Sequence, residues 1–146
     1  MNSSAPLELP MPKPDADSEP FWVALRQERL LVQRCGSCGK AQLYFRAVCH
    51  VCWSRDLAHE QSPGLGTVYS YSVVHQIGQA ALRAEVPYAL ALIDLDEGPR
   101  ILSRVTGDPE AVEIGQRVTP VFRHFTEHTL LYFAPDPDGA TTDNDK

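Results

Sequence analysis

Four cysteines in two closely spaced pairs are the residues whose types and spacing point most clearly to chemistry. Cys35 and Cys38 form one Cys-x-x-Cys pair, Cys49 and Cys52 form the other, and ten residues separate the two pairs. Each pair bends the chain so that two sulfurs face one point, and two such bends supply four thiolates to a tetrahedral zinc ion. The sequence therefore predicts a zinc ribbon, in which four sulfurs fill the metal shell and leave no position for a substrate.

Disulfide bonds are the alternative use of these cysteines. Residues 1–20 contain no basic start followed by an apolar run, so no secretory signal is visible. We expect a cytoplasmic protein whose thiols stay reduced, and in that compartment paired Cys-x-x-Cys motifs indicate metal binding or redox chemistry. A thioredoxin-like role needs only one pair, which favours zinc. A ribbon that keeps its cysteines but binds metal weakly stays open as an alternative.

The two pairs differ in the residue that follows them. Gly39 follows the first pair, where the absence of a β-carbon allows a sharp turn with backbone N–H groups directed at sulfur. Trp53 holds the matching place after the second pair, and a bulky residue resists a positive φ. We therefore expect a less regular second knuckle. His50 lies inside that knuckle, and we expect it to be exposed because four sulfurs already fill the shell.

Length and composition predict one domain, or one domain with a small metal module. The chain has 146 residues, 43% of them hydrophobic, and a formal net charge of −6. No apolar stretch is long enough to cross a bilayer, and the negative charge argues against a general nucleic-acid binder. We predict disordered tails at residues 1–17 and 136–146, which are rich in Pro, Asp, Gly and Thr.

The elements that must position the cysteines follow from the hydrophobic pattern. A short helix begins at Ser18 and places Phe21, Trp22 and Leu25 on one face. So short a helix is unstable alone, so its aromatic stripe packs either on its own domain or on a second chain. Residues 30–34 and 41–46 are predicted as ribbon strands. The helix and ribbon thus fill residues 18–62.

Residues 63–135 are predicted as a separate all-β domain. Strands are expected at 67–77, 87–95, 100–106, 117–125 and 129–134, with a loop at 107–116 that has room for one helical turn. In the first of these strands, Tyr69, Tyr71, Val73 and His75 alternate onto one face. Five short antiparallel strands make a poor two-sheet sandwich but can close into a small OB-type barrel. The predicted fold class is therefore mostly β: a short helix, a zinc ribbon and a five-stranded OB-fold barrel.

At this point several motifs in one order resemble a known family of bacterial and archaeal proteins. These proteins combine an N-terminal helix, a rubredoxin-like zinc ribbon and a C-terminal OB fold, and were long filed as a domain of unknown function. The resemblance runs from about Phe21 to Phe133, and the following segments carry it: 33–39, the second cysteine pair, 64–71, 73–75, 86–88, 95–100 and 114–118.

The resemblance implies an accessory role beside acyl-CoA enzymes. Family members are typically small subunits of thiolase-like enzymes, including thiolases, acyltransferases and the retro-aldolases of steroid degradation, and others pair with hot-dog-fold enoyl-CoA hydratases. The large subunit generally carries the catalytic residue. Two departures stand out in this chain: Trp53 replaces a small residue, and residues 76–79 replace a proline-containing stretch, which leaves the shape of that loop open.

Catalysis by the chain itself has weak support in the sequence. No histidine lies in a recognisable nucleophile motif, so we predict no catalytic residue. The candidates for contact with an acyl-CoA ligand are His75, Arg83, Arg100 and Arg104, because arginine forks suit phosphates. Arg123 is a further arginine of the same kind. The plainer interpretation is a locally hydrogen-bonded histidine and surface arginines paired with Asp or Glu.

The sequence as a whole predicts a non-catalytic accessory subunit of an acyl-CoA-processing enzyme. Zinc is the expected cofactor, and a thiolase-like or hydratase subunit in a hetero-oligomer is the expected partner. Phe21, Trp22 and Leu25 are the candidate interface residues. Two other functions stay open: an OB-fold nucleic-acid-binding module, which should carry a basic face, and a free-standing acyl-CoA-binding protein.

Overall fold

A short helix docks on a three-stranded ribbon and a closed barrel in the computed structural model, which describes residues 9–139. The ends of both predicted tails, residues 1–8 and 140–146, lie outside the described residues. Helix α1 spans Glu19–Arg26, and the eight strands follow it in the chain: β1 Leu30–Cys35, β2 Ala41–Gln42, β3 Leu57–Ser62, β4 Gly66–Val74, β5 Tyr88–Leu95, β6 Arg100–Val105, β7 Arg117–His124 and β8 Thr129–Pro135. No helix among these residues is long and apolar enough to span a membrane.

Helix α1 packs on its own domain. Pro20 lies in its first turn, while the Ser18 hydroxyl donates to Asp15 over 2.6 Å instead of capping the helix. Ala24 and Leu25 are buried, and the helix lies against β1 of the ribbon and against β7 and β8 of the barrel. Apolar burial, rather than a side-chain cap, therefore stabilises these two turns.

The ribbon differs from the predicted one in two strands. Its order is β2-β1-β3, and β3 was missed because its polar residues show no apolar alternation. The strand expected at 41–46 ends at Gln42. Tyr44 has a positive φ of 59°, and the backbone N–H of Arg46 donates to the side chain of Gln33 instead of to a neighbouring strand. The chain therefore leaves the sheet after two residues.

The barrel has the predicted five strands in the order β4-β5-β6-β8-β7. Its interior is filled by residues that alternate along the strands, among them Val68, Ile93, Val118 and Phe133, each at most 1% exposed. One predicted feature is wrong. A bulge between Val68 and Ser70 leaves Tyr69 unpaired, so Tyr69 and Tyr71 do not share a face as simple alternation predicts.

The connection between ribbon and barrel is held by specific contacts. The Ser62 hydroxyl donates to Glu97 over 2.7 Å and accepts the backbone N–H of Gly64 over 2.9 Å. Gly64 has a φ of 75°, and a β-carbon there would lie 2.6 Å from Pro120. The glycine is thus required by close approach to the barrel, and the link is not a free hinge.

Candidate functional site

The four cysteine sulfurs converge on one point at the end of the ribbon. All four lie within 4.8 Å of one another, and the Cys35–Cys52 and Cys38–Cys49 sulfur pairs are each 3.6 Å apart. A tetrahedral zinc ion with Zn–S bonds of about 2.3 Å places its sulfurs about 3.8 Å apart. The site therefore fits zinc, which when bound would cross-link the two knuckles as a structural ion.

The two knuckles have the same backbone geometry, so the expected irregularity of the second is wrong. The N–H of Gly39 donates to the carbonyl of Cys35 over 2.9 Å, and the N–H of Trp53 donates to that of Cys49 over 3.0 Å. Gly39 and Trp53 have φ values of 74° and 64°. Trp53 thus adopts the left-handed conformation despite its side chain, which is 76% exposed. The knuckle turn determines this φ, and the residue type does not prevent it.

Backbone N–H groups stabilise the thiolate forms of two of the four cysteines. The N–H of Cys38 lowers the pKa of the Cys35 thiol to about 6, and the N–H groups of Cys52 and Val51 lower the pKa of Cys49. The N–H of Ser54 also acts to lower the pKa of Cys52, but burial and the neighbouring sulfurs raise it to about 12. A metal ion would supply the positive charge that favours the thiolate form of Cys52.

Two buried glutamines, which the sequence interpretation missed, hold the second knuckle in place. Gln42 Nε2 donates to Gln33 Oε1 over 2.8 Å and to the carbonyl of Val48 over 3.3 Å. Gln42 Oε1 accepts the backbone N–H of His50 over 2.9 Å and lies 3.0 Å from its Nδ1. His50 is exposed, as expected. The only sequence signal was the placement of two amides on short strands beside the first cysteine pair.

The candidate ligand-binding residues lie at separate places on the barrel. Arg100 and Arg104 share one face of β6, where Arg100 pairs with Asp94 at 2.6 Å and stacks on the Tyr69 ring at 3.4 Å. His75 is exposed and lies 3.6 Å from Glu110. Arg83 lies in the loop before β5 and donates weakly to Gly78. The structure therefore brings Arg100 and Arg104 onto one surface but does not add His75 or Arg83 to it.

Glu85 is a second residue that the sequence interpretation missed. Its carboxylate accepts from Arg104 over 3.0 Å and from Arg123 over 3.2 Å, and it is 25% exposed. The hydrogen bond from Arg123 lowers its pKa, with a smaller contribution from Arg104. Glu85 thus ties the loop before β5 to β6 and β7. Nothing in the local sequence marked it, because both partners are distant in the chain.

One arrangement has the distances of a catalytic triad. His124 Nε2 lies 2.8 Å from the Glu28 carboxylate, and His124 Nδ1 lies 2.9 Å from the Thr129 hydroxyl. Thr129 is only 3% exposed, so its hydroxyl cannot reach a substrate. His124 and Thr129 are direct cross-strand neighbours. We therefore interpret the set as a clamp between the end of α1 and the β7–β8 hairpin.

The three candidate interface residues differ in exposure. Leu25 has no exposed surface, whereas Phe21 and Trp22 are half-buried. Their rings pack edge to face at 5.3 Å, and Phe21 makes a similar contact with Phe45 of the ribbon at 5.7 Å. The next residue, Val23, is 44% exposed. The apolar part of the outward surface of α1 is therefore formed by parts of Phe21 and Trp22 together with Val23.

Family comparisons agree with the two-part architecture. The family model for the ChsH2 rubredoxin-like zinc ribbon domain matches residues 22–58, and the model for the ChsH2 C-terminal OB-fold domain matches residues 59–123. Together these matches cover the ribbon and most of the barrel.

Individual known proteins are also similar to this chain over most of its length. A DUF35 domain-containing scaffold protein of Methanocaldococcus jannaschii is 35% identical over 73% of this chain and 77% of its own length. A probable enoyl-CoA hydratase alpha subunit of Thermomonospora curvata is 36% identical over 75% of this chain, which spans only 34% of that protein. A chain of the solved Ltp2-ChsH2(DUF35) aldolase is 34% identical, with a TM-score of 0.77 over 86% of this chain and 98% of that one.

Proposed function

Because this chain belongs to the ChsH2 family of paired zinc-ribbon and OB-fold domains, we propose that it is a non-catalytic accessory subunit of an acyl-CoA-processing enzyme. The partner we favour is thiolase-like: a thiolase, an acyltransferase or a retro-aldolase. A hot-dog-fold hydratase is the alternative partner. The observation that carries the proposal is the similarity to a chain of an aldolase, because it extends over ribbon and barrel alike, with a TM-score of 0.77.

The chemistry of the described residues agrees with a non-catalytic accessory role. The four thiols form a closed set suited to a structural metal. Within residues 9–139, only His124 lies between a hydroxyl and a carboxylate, those of Thr129 and Glu28, and the Thr129 hydroxyl is buried. An accessory subunit needs stable surfaces more than it needs a nucleophile. In such a complex the chain would bridge subunits and shape the acyl-CoA site.

The surface we assign to the partner lies on α1 and the ribbon. Phe21 and Trp22 contribute their exposed edges, and Leu25 contributes indirectly by holding α1 on the domain. Val23 and Trp53 are 44% and 76% exposed, respectively. Large apolar side chains of this kind often anchor interfaces. Burying an exposed tryptophan in an interface removes its apolar surface from water. We also place the complex in the cytoplasm and assign it no nucleic-acid partner, since the net charge is −6.

Co-expression with a thiolase-like or aldolase subunit from the same organism tests the proposal. We expect the two chains to co-elute in size-exclusion chromatography. A Val23→Asp, Trp53→Ser double variant should co-elute less while keeping its melting temperature, because both side chains are exposed. Ile114→Ser removes a comparably exposed apolar residue, 67% exposed, from a loop of the barrel and is the matched control.

Two results would count against the proposal in different ways. If the wild-type chain never co-elutes with such subunits, the accessory role is wrong, and a free-standing binding protein becomes the better interpretation. If the wild type co-elutes and the double variant does so equally well, the partner binds elsewhere on the chain.

A further inference from the structure

Two neighbouring cavities meet at the loop that joins β4 to β5. An apolar cavity of about 400 Å³ lies between α1, the ribbon and strands β6 and β8, and a more polar cavity of about 330 Å³ shares Tyr132 with it. The loop, residues 76–87, contributes Leu82 to the wall of the apolar cavity and Glu85 to the wall of the polar one. The position of this loop therefore affects both cavities.

The loop is held only loosely by its backbone and its apolar side chains. None of residues 76–87 is buried, and its one helical turn, Ala80–Leu82, has no buried residue either. Its backbone hydrogen bonds join residues three apart within the loop. The guanidinium of Arg83 also donates within the loop, to Gly78 over 3.5 Å. These contacts give the loop its own shape, but they do not attach it to the barrel.

Glu85 provides the polar attachment to the barrel. Within residues 9–139, all side-chain hydrogen bonds between this loop and the rest of the chain end at its carboxylate, from Arg104 over 3.0 Å and from Arg123 over 3.2 and 3.4 Å. The Glu85 side chain is 25% exposed, and Arg104 is shielded on one side by the Tyr88 ring at 3.7 Å. A carboxylate held by two guanidiniums in such a site is a strong contact.

Leu82 is coupled to Glu85 through one tight turn. The backbone N–H of Glu85 donates to the carbonyl of Leu82 over 3.0 Å. Leu82 is half-buried, and it is the residue of the loop that lines the apolar cavity. A movement that separates Glu85 from its two arginines therefore moves Leu82 as well.

We propose that residues 76–87 form a lid on the apolar cavity, with Glu85 as the latch that holds the lid on Arg104 and Arg123. In the closed state, Leu82 forms part of the cavity wall. When the latch opens, Leu82 leaves the wall, the cavity gains an entrance on the side of the loop, and both guanidiniums become free to bind another anionic group. This device belongs to the chain itself and does not depend on the proposed partner.

Hydrogen exchange of the full-length chain, followed by mass spectrometry, tests the latch. Glu85→Gln keeps the size of the side chain and removes its charge. We expect the hydrogen-bonded amides of residues 76–87 to exchange about tenfold faster in this variant, because the carboxylate no longer accepts from charged donors. Exchange in β5 and β6 should stay the same, which shows that the barrel is folded.

Glu60→Gln is the matched control for Glu85→Gln. Glu60 also accepts two hydrogen bonds from arginine, over 2.6 and 3.2 Å, but its partner is Arg34 and both lie on the ribbon. This variant should leave exchange in residues 76–87 unchanged. Equal acceleration in the two variants would mean that the loop responds to net charge, and the latch would be wrong.

A double-mutant cycle shows whether the arginines act through Glu85. Arg123→Gln alone should accelerate exchange in the loop. Combined with Glu85→Gln, it should add less than about a twofold change, because the contact is already lost. Fully additive effects would mean that the two side chains stabilise the loop independently, which would overturn the latch.

Quenching of Trp22 by acrylamide tests the lid. The chain has two tryptophans, and Trp53→Phe leaves Trp22, which lines the apolar cavity. In this background Glu85→Arg should hold the loop open by repelling both guanidiniums, and the quenching constant of Trp22 should rise. Glu60→Arg makes the same change of charge on the ribbon and should not raise it.

A rescue variant separates lid opening from general damage to the fold. Glu85→Arg combined with Arg123→Glu restores an ion pair between the loop and β7, so the quenching constant should return to the value before either change. Quenching that stays high in the rescue variant, or that never rises in Glu85→Arg, would overturn the lid. These measurements involve no partner, so their failure leaves the accessory role, which co-elution tests, intact.

Discussion

Replacing Gln42 with leucine should loosen the zinc knuckle, although Gln42 is not a metal ligand. Gln42 is 3% exposed and makes four contacts with Gln33, Val48 and His50. Leucine has a similar volume and removes all four.

The expected cost follows from the groups left behind. The backbone N–H of His50 loses its acceptor, at about 2 kcal/mol, and the two oxygens that accept from Nε2 lose about 1 kcal/mol each. Gln33 Oε1 keeps the N–H of Arg46 at 3.1 Å, which limits its loss. Leucine regains about 1.5 kcal/mol through apolar burial. The net destabilisation is therefore about 2.5 kcal/mol, or a fall in melting temperature of about 8 °C for a chain of this size.

Zinc retention should fall with stability, because His50 lies between two of the four sulfur ligands. Groups that orient metal ligands typically change affinity by about 10- to 100-fold. The assay is thermal denaturation together with the rate of zinc transfer to a chromogenic chelator.

Gln61→Leu is the matched control for Gln42→Leu. Gln61 lies on β3 of the same sheet, but it is exposed, and within residues 9–139 its side chain hydrogen-bonds only to Arg29, over 3.1 Å. This control should change the free energy of unfolding by less than about 0.5 kcal/mol. If Gln42→Leu melts and releases zinc as the control does, the buried amides do not hold the knuckle, and the reasoning from unsatisfied groups is refuted.

Three further predictions concern the metal, the ion pairs and catalysis. Elemental analysis should find one zinc per chain. Cys38→Ser should lose the metal and melt at a lower temperature, because the short ribbon strands depend on the cross-link. A wild-type chain that is equally stable without zinc would contradict this prediction. The pKa of Glu85 is lowered by Arg123 and Arg104, so its stabilisation should be complete above the unfolded pKa of about 4.3 and be lost as the pH falls through the lower folded value. Melting curves of Glu85→Gln should lack that part of the acid dependence; identical curves would exclude it. The purified chain should not hydrolyse acyl-CoA thioesters, and turnover abolished by His75→Ala would make His75 catalytic.

Most of the fold and all four metal ligands could be predicted from local patterns. Two Cys-x-x-Cys motifs encode their own turn geometry, and alternating apolar residues between turn signals encode the five barrel strands. The strand β3 was missed because it pairs only with β1 and carries mainly polar residues, so no local periodicity marks it. Trp53 was misjudged for a related reason: its φ is determined by the sulfur geometry of the knuckle, which outweighs the preference of a bulky side chain.

The sequence by itself determined the zinc ligands, the division into ribbon and barrel, and the family to which the chain belongs, because these depend on residues close together in the chain. Only the tertiary structure decided which polar groups meet. Glu85 joins Arg104 and Arg123 from three elements, and Gln42 reaches the backbone of the second knuckle. It also decided that α1 packs on its own domain. Such contacts arise from how elements pack, and packing depends on the shapes of distant surfaces that no local pattern records.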